Sequence, residues 1–479
     1  MSAVTTPPRR RPRRQTKHLT TAERVAAGRS ARKEMPRFRH GVLELPSDRP
    51  DPVALLERQA ESRVPELVPI RYGRMLVSPF TFYRGAAAIM ASDLAAGPRT
   101  SLRAQLCGDA HLSNFGVFGS PERRLVFDIN DFDETLPGPW EWDVKRLAVS
   151  LEVAGRDNGM GAADRREVVR RGVLEYRTAM RTFAGMRNLD VWYASLDVAS
   201  RVAELRAVAT RKQVRRTEQT LAKARTRDSM HAFAKLTHVV DGDRRIISDP
   251  PLIEPIEDLA QGVEADDLAE AVHDVLRAYR RTLESDRRYL LERYRLVHVA
   301  RKVVGVGSVG TRAWIALMLG RDSDDPLFLQ IKEAQPSVLE EHVGRSVHGN
   351  CGERVVSGQR LMQAASDIFL GWTRVTAGAD GTRRDFYGRQ LKDWKGSATI
   401  ETMEPKAMAL YAGLCGWTLA RAHARSGDRV AIAAYLGGGN AFDRAICDFA
   451  DAYADLNERD YSALAAAVDS GRIAAAKGL

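Results

Sequence analysis

The sequence predicts an α+β protein of two lobes, a large helical lobe and a smaller lobe built on an antiparallel sheet. The chain has 479 residues, which is more than one hydrophobic core usually serves, so we expect two lobes or two to three domains. Apolar residues recur at helical spacing over most of residues 140–300 and again after residue 396. Between these stretches, residues 301–395 alternate in strand fashion around glycines.

These patterns divide the chain into four segments. We expect a disordered basic tail over residues 1–40, a mainly helical catalytic lobe over 41–300, a small β-rich lobe over 301–395, and helices over 396–479 that complete the helical lobe. The tail carries twelve Lys and Arg against two Glu, so it holds most of the net charge of +11. Its Pro-rich and Arg-rich composition, without apolar periodicity, predicts disorder.

Composition also excludes several classes of protein. Outside the tail the chain is nearly neutral, so we expect no nucleic-acid partner beyond weak binding by the tail itself. No run approaches the roughly 18 apolar residues of a membrane-spanning helix, and no apolar core follows the arginine pairs as an export signal requires. The four cysteines are far apart and form no C-x-x-C pair, which predicts neither a zinc site nor disulfides. A cytoplasmic protein without a membrane partner is therefore expected.

The first candidate site combines the sequence CGDAHLSNFG from residue 107 with LVFDINDFDE from residue 125. Phosphoryl transfer from a nucleotide requires a carboxylate near the acceptor hydroxyl and oxygen ligands for magnesium. Asp109, Asn114 and Asp128 have this chemistry. The short apolar run Leu125–Phe127 predicts a buried strand that presents Asp128 at its carboxyl end. A metal-dependent hydrolase that uses His111 beside these acids is an alternative.

This motif resembles the catalytic loop of aminoglycoside and choline kinase-like phosphotransferases, which reads H-G-D-x-H-x-x-N and precedes a strand ending in Asp. The resemblance implies that Asp109 is the catalytic base, Asn114 a magnesium ligand and Asp128 the metal-binding acid, with His111 in a supporting position. Cys107 stands where the first His of that pattern lies.

Two further acids belong to the same resemblance. Asp131, in the sequence Asp131-Phe132-Asp133, looks like a D-F-G variant and competes with Asp128 as the metal-binding acid, although the spacing favours Asp128. In LPGPWEWDVKRLAVSL, Asp143 stands where the resemblance implies an acid that opens a helix and braces the catalytic loop.

The second candidate site is the glycine-rich sequence GVGSVG at residues 305–310, followed by the predicted strand LFLQIKEA that carries Lys332. A glycine-rich hairpin lets backbone amides approach phosphates, and a lysine on a later strand can neutralise them. Because TRAWIALML predicts a strand where a dinucleotide-binding fold would have a helix, a Rossmann fold is not favoured.

The arrangement resembles the nucleotide lobe of a kinase, which implies that Gly305, Gly307, Ser308, Gly310 and Lys332 bind ATP. The carboxylate that pairs with Lys332 stays open among three candidates, which are Glu340, Glu341 and Glu353.

The order of these segments predicts a circular permutation. The sequence FYGRQLKDWKGS, 386–397, is suited to bind an adenine, and LARAHARSGD resembles the helix that precedes a kinase catalytic loop. In this chain the loop comes about 300 residues earlier, and permutation is tolerated because domain termini lie at the surface. Alternatively, residues 81–150 belong to an ordinary lobe in which AAAIMASDLAAGP precedes the loop, and the later glycines are a coincidence.

Across its folded length the chain is identified as a member of the bacterial family called domain of unknown function 2252. The motifs RYGRMLVSPFTFYRG, QLCGDAHLSNFG, VGSVGTR and LARAHARSGD carry this resemblance, which implies no activity.

The sequence therefore predicts a circularly permuted, protein kinase-like phosphotransferase that uses ATP and Mg²⁺ on a small-molecule acceptor. A nucleotide-binding scaffold without catalysis and an enzyme that transfers AMP are the alternatives. The acceptor has no motif of its own.

Overall fold

The computed structural model describes residues 18–199, 211–240, 242–260, 264–376, 381–391 and 393–478. Helix makes up 52% and strand 16% of the structure, and every strand pair in these ranges is antiparallel. The predicted α+β class is therefore confirmed.

Helices dominate both ends of the chain. They are α1 (Thr21–Glu34), α2 (Pro52–Ala60), α3 (Val68–Met75), α4 (Pro79–Gly85), α5 (Ala87–Ala96), α6 (Glu141–Asp157), α7 (Ala162–Ala184), α8 (Asn188–Tyr193), α9 (Arg211–Arg225), α10 (Ser229–Leu236), α11 (Ile256–Leu259), α12 (Ala265–Arg280), α13 (Ser285–Leu291), α14 (Glu340–Val343), α15 (Cys351–Met362), α16 (Pro405–Ser426), α17 (Arg429–Leu436) and α18 (Ala441–Asp469).

The strands fall in two groups, one early and one late. They are β1 (Arg103–Leu106), β2 (Phe115–Gly119), β3 (Leu125–Ile129), β4 (Leu136–Pro139), β5 (Leu196–Asp197), β6 (Thr237–Val240), β7 (Asp243–Ile246), β8 (Ile253–Pro255), β9 (Arg295–Lys302), β10 (Ala313–Leu319), β11 (Pro326–Ala334), β12 (Gly371–Val375) and β13 (Arg384–Gln390).

The largest sheet of the described chain has the strand order β12-β13-β11-β10-β9-β8. Strands β9, β10 and β11 form a meander, and β13 pairs with the other side of β11. Lys332 on β11 is opposite Ala313 on β10 and Tyr387 on β13, so it lies in the middle of the sheet. The sheet also includes β8 and β9, which begin before the predicted boundary at residue 301.

Both strand predictions around the glycine-rich segment are confirmed, since TRAWIALML contains β10 and PLFLQIKEA forms β11. Their patterns of branched and aromatic residues favour extended backbone. A hairpin is formed by the β6–β7 pair. Its turn residue Asp241 lies outside the described residues, and Gly242 next to it has a φ of +87°.

Helices from both ends of the chain share the main core. Helices α7 and α16 cross so closely that a Cβ added at Gly416 would lie 2.1 Å from the backbone oxygen of Gly172. Beside this crossing, the rings of Trp140 and Tyr176 stack with centroids 5.6 Å apart. The same core includes residues of β1 and β3, so the early strands are anchored on helices from the end of the chain.

The prediction that residues 1–40 are disordered is wrong for residues 18–40, whereas residues 1–17 lie outside the described residues. Thr20 and Glu23 form a capping box that begins α1. Gly28 then lets α1 pack directly on α17, since a Cβ there would lie 2.1 Å from the backbone oxygen of Ala431. Small residues and a cap therefore give this basic segment a packed face despite its charge.

Among the helices of the described ranges, none combines the length and the apolar character needed to cross a membrane.

Candidate functional site

The two predicted motifs meet at one cavity of about 590 Å³. From the first motif it is lined by Asp109, His111, Asn114, Asp131 and Asp133, and from the glycine-rich segment by Gly305, Val306, Gly307 and Ser308. Four arginines also line it, namely Arg58, Arg63, Arg71 and Arg84. Segments about 200 residues apart in sequence thus share one site.

The loop that follows β1 begins at a position that requires glycine. Gly108 has a φ of +84°, and a Cβ there would lie 2.4 Å from the backbone oxygen of Glu134, so only glycine fits without distortion. The carboxylate of Asp143, in the first turn of α6, accepts hydrogen bonds from the amides of Cys107 at 2.8 Å and Gly108 at 3.0 Å. His423 Nε2 lies 3.2 Å from the same carboxylate. These are the contacts that the bracing role implied for Asp143 requires.

Asp109 is held by neighbours on three sides. Arg146 Nε donates to Asp109 Oδ1 at 2.9 Å, and His111 Nε2 lies 3.7 Å from Asp109 Oδ2. Asn114 Nδ2 donates to the backbone oxygen of Asp109 at 2.8 Å. The Asp109 side chain is 20% exposed and reaches the cavity, so it is both fixed in place and accessible to a ligand.

His111 is buried and uncharged. Burial lowers the pKa of His111 to about 4, because the nearby carboxylate of Asp109 does not offset the loss of hydration. Its Nδ1 is buried without a hydrogen-bond partner. Within the described ranges no three His, Cys, Asp or Glu side chains are grouped to hold a metal ion.

Asp128 does not face the cavity. Strand β3 continues to Ile129, one residue beyond Asp128, so this acid lies inside a fully buried strand rather than after its end. Asp128 Oδ1 accepts from Arg421 Nη2 at 2.6 Å, and Asp128 Oδ2 accepts from the amide of Ala364 at 2.8 Å. The geometry therefore assigns Asp128 to a buried ion pair and leaves its rival Asp131 at the cavity.

Asp131 and Asp133 are the carboxylates that face Lys332. Lys332 Nζ lies 3.5 Å from Asp131 Oδ2 and 3.1 Å from Asp133 Oδ2. Burial alone would raise the pKa of Asp131, but the positive charges of Lys332 and Arg389 hold it at about 2. Burial alone would lower the pKa of Lys332, and these two carboxylates raise it above its ordinary value instead. Asp131 and Lys332 are therefore both charged at neutral pH.

The three predicted partners of Lys332 are engaged elsewhere. Glu340 lies 3.9 Å from Arg354, Glu341 lies 3.0 Å from Arg58, and Glu353 lies 3.5 Å from His348. These glutamates were predicted because they follow Lys332 closely in the sequence. The carboxylates that contact Lys332 are instead those of Asp131 and Asp133, from the first motif.

The glycine-rich segment forms the turn between β9 and β10. Gly305, with a φ of +70°, and Gly307 and Ser308 line the cavity. Gly310 does not line it; its backbone oxygen accepts from the amide of Val64 at 2.8 Å. The turn is thus tied to the N-terminal helical region at one end and open to the cavity at the other.

Two residues on β13, Tyr387 and Arg389, also contact the loop that carries Asp131 and Asp133, and the sequence did not identify them as site residues. Tyr387 donates its hydroxyl hydrogen to Asp133 Oδ1, and Arg389 Nη1 donates to the backbone oxygen of Asn130 at 2.9 Å. Their spacing of two residues on a strand gives them the same face. The segment 386–397 was expected only to bind an adenine. The two-residue spacing of Tyr387 and Arg389 was the signal that could have identified them as neighbours on one face of the strand.

Comparison with known proteins gives one family. The profile of the family described as uncharacterized protein conserved in bacteria (DUF2252) matches residues 63–467. No curated protein and no solved structure matches the chain.

Proposed function

The chain belongs to the DUF2252 family of uncharacterized bacterial proteins, whose description names no activity, and we propose from its site that it is a phosphotransferase that uses Mg²⁺ and ATP on a small-molecule acceptor. The observation that carries the proposal is the single cavity shared by Asp109, Asn114 and Asp131 with the glycine-rich turn. Phosphoryl transfer needs these parts together, because catalysis rests on positioning and charge stabilisation.

The topology around Lys332 supports a kinase-like nucleotide lobe. Protein kinases have a glycine-rich loop over the phosphates and a lysine on the third strand. Here the glycine-rich turn joins the first two strands of the β9–β10–β11 meander, and Lys332 lies on the third. The short helix α14 and then the longer helix α15 follow β11 in the chain. This order is the one the proposal requires.

The junction between α16 and β1 supports a circular permutation. The amide of Gln105 on β1 donates to Ser426 Oγ, at the end of α16, at 3.2 Å. A Cβ at Gly427 would lie 2.9 Å from the backbone oxygen of Arg103. In an unpermuted kinase, the helix that corresponds to α16 would precede the catalytic loop. Here α16 ends beside β1, the strand before that loop, although the two are far apart in the sequence.

The residues at the cavity fit a magnesium ion that is bound together with phosphates. Mg²⁺ is usually held by one or two carboxylates plus substrate phosphates and water, not by a complete protein cage. Asp131 is ionised, with its side chain 30% exposed. The amide nitrogen of Asn114 is engaged by Asp109, so its side-chain oxygen is the atom left for a cation. Asn114 and Asp131 would hold the ion.

ATP, when bound with Mg²⁺, supplies the phosphoryl group and the charge that bridges its phosphates. Lys332 would contribute a positive charge, and the amides of Gly305–Ser308 would approach the phosphates closely. Asp109, fixed by Arg146, would orient the acceptor hydroxyl and accept its proton. Asp143 would keep Asp109 in place through the loop amides.

ATP turnover and nucleotide binding, measured on the same variants, test the proposal. We expect Mg²⁺ and ATP to raise the melting temperature of the wild type, and Asp109→Asn to keep that shift while losing ATP turnover. Turnover that is unchanged in Asp109→Asn would contradict the proposed role.

The group that the acceptor gains distinguishes the proposed phosphoryl transfer from the alternative functions. A modified acceptor that gains a phosphoryl group supports the proposal, whereas one that gains AMP identifies the adenylyl-transferring alternative. ATP binding without turnover in the wild type, across a panel of acceptors, would leave a nucleotide-binding scaffold.

A further inference from the structure

The cavity contains a cluster of arginines that the proposed phosphoryl transfer does not use. Arg63, Arg71 and Arg84 all line it. Arg71 has no exposed surface, and its Nε and Nη1 have no hydrogen-bond partner. The Nε atoms of Arg63 and Arg84 are also buried without partners. Buried N–H groups that lack a partner are costly.

These three arginines also lack a carboxylate. In the described part of the chain, none of them forms an ion pair within 4.0 Å. Arg71 Nη2 donates only to neutral oxygens, to Gln59 Oε1 at 3.0 Å and to the backbone of Gly85 at 3.1 Å. Arg63 Nη1 donates to the backbone oxygen of Val309. In the described residues their positive charges therefore have no carboxylate in direct contact.

Three other arginines that are buried in the described residues are paired with carboxylates. Arg177 lies 2.8 Å from Asp443, and Arg421 lies 2.6 Å from Asp128. Arg146 lies 2.9 Å from Asp109 at the same cavity. Arg71 is buried, and Arg63 and Arg84 are half-buried. Since an unpaired buried charge is strongly destabilising, this cluster indicates that an anion from outside the chain completes it.

The pKa shifts of the three arginines agree with an anion-binding role. Burial lowers the pKa of Arg63 to about 10, and it lowers the pKa of Arg71 and of Arg84 below their ordinary values. A bound anion would reverse these shifts. Guanidinium groups suit phosphate and carboxylate because their N–H groups match two oxygens at once.

All three arginines line the same cavity as Asp109, the group proposed to receive the acceptor proton, and Arg63 also contacts Val309 in the glycine-rich turn. The phosphates of the nucleotide have another cation, because Lys332 Nζ lies 3.5 Å from Asp131 Oδ2. We propose that the acceptor carries a phosphate or carboxylate group that binds Arg63, Arg71 and Arg84, an inference that rests on the proposed phosphotransferase function.

Inorganic phosphate, without nucleotide or magnesium, is the probe for this site. We expect phosphate to raise the melting temperature of the full-length wild type. Arg84→Met should weaken phosphate binding by about tenfold or more, because a charge-assisted hydrogen bond is lost, while Arg84→Lys should retain part of it. Arg29→Met, at an exposed position of α1 that does not line the cavity, is the control and should bind phosphate like the wild type.

Arg84→Met is the informative variant because it should fold. Its Nε has no partner to lose, and replacing an unpaired buried charge by an apolar side chain leaves stability unchanged or raises it. It should also keep the shift given by ATP and Mg²⁺.

Three results would overturn the inference: no phosphate shift in the wild type, an equal phosphate shift in Arg84→Met, or loss of the ATP shift in that variant, which would assign the cluster to the nucleotide phosphates. Phosphate binding in a wild type that binds no nucleotide would overturn the phosphotransferase function and still support the anion site.

Discussion

Lys332 Nζ lies 3.1 Å from Asp133 Oδ2, which joins the central strand of the large sheet to the loop that follows β3. The two residues are 199 positions apart in sequence. Asp131, two residues before Asp133, lies 3.5 Å from the same ammonium group. This contact makes the early motif and the late glycine-rich sheet one candidate site.

Lys332→Met should destabilise the fold and abolish nucleotide binding. The substitution leaves two partly buried carboxylates without their cation, which should cost about 1–3 kcal/mol of unfolding free energy. Lys332→Arg keeps the charge and should lose less. Urea denaturation and the thermal shift with ATP and Mg²⁺ measure the two effects. Wild-type stability and nucleotide binding in Lys332→Met would show that the ion pair serves neither purpose.

Asp128→Asn should affect stability through Arg421. Breaking a fully buried ion pair from one side costs about 3–5 kcal/mol, and the double variant Asp128→Asn with Arg421→Met should recover part of that loss because no charge is left unpaired. Urea denaturation of the two single variants and the double variant provides the cycle. If Asp128→Asn instead kept its stability and lost only Mg²⁺-dependent nucleotide binding, the metal-binding role would return to Asp128.

Gly108→Ala should disturb the loop that carries Asp109. The added Cβ would meet the backbone of Glu134 at 2.4 Å, and φ is +84°, so we expect a loss of about 2 kcal/mol or more together with reduced turnover. Gly159→Ala is the matched control, since Gly159 has a φ of +69° but nothing within 4 Å of an added Cβ. Its cost should be about 1 kcal/mol. Equal losses in both variants would mean that the contact with Glu134 is unimportant.

His111 should make stability depend on pH. Its folded pKa of about 4 is below the ordinary 6.5, so the unfolded chain binds a proton between these values and the folded chain does not. The neutral imidazole therefore contributes on the order of 3 kcal/mol to the free energy of unfolding above pH 6.5, and this contribution is lost as the pH falls toward 4. Urea denaturation across this range should show it.

The control for this pH dependence is His111→Gln. Glu134 works in the opposite direction, because burial raises its pKa from 4.5 to about 7 and its contribution is lost as the pH rises through that window. The difference between the wild-type and His111→Gln curves therefore isolates the imidazole. Parallel curves would show that His111 has the same pKa in both states.

Much of the fold was predictable because local patterns determine it. The residue patterns of 313–319 and 326–334 predicted β10 and β11, whereas the role expected of Asp143 came from the resemblance of its segment to kinase-like phosphotransferases. The two strands depend on neighbours within a few residues, where periodicity and spacing carry the information.

The burial of Asp128 was not predictable from spacing. One additional strand residue, Ile129, moves Asp128 from the strand end into the core, where Arg421 from α16 pairs with it. Nor could spacing find the partners of Lys332, which come from a distant segment. The paired or unpaired state of buried arginines such as Arg71 depends entirely on tertiary packing, and sequence patterns contain no signal for it.

The most direct test of the account is calorimetric titration of ATP into the wild type and Asp131→Asn, each with and without Mg²⁺. We predict binding to the wild type that depends on Mg²⁺ and is weakened at least about tenfold in Asp131→Asn, since a charged metal ligand is lost. Absence of ATP binding to the wild type, or Mg²⁺-dependent binding that is unchanged in Asp131→Asn, would contradict the proposal that the two motifs form one nucleotide site.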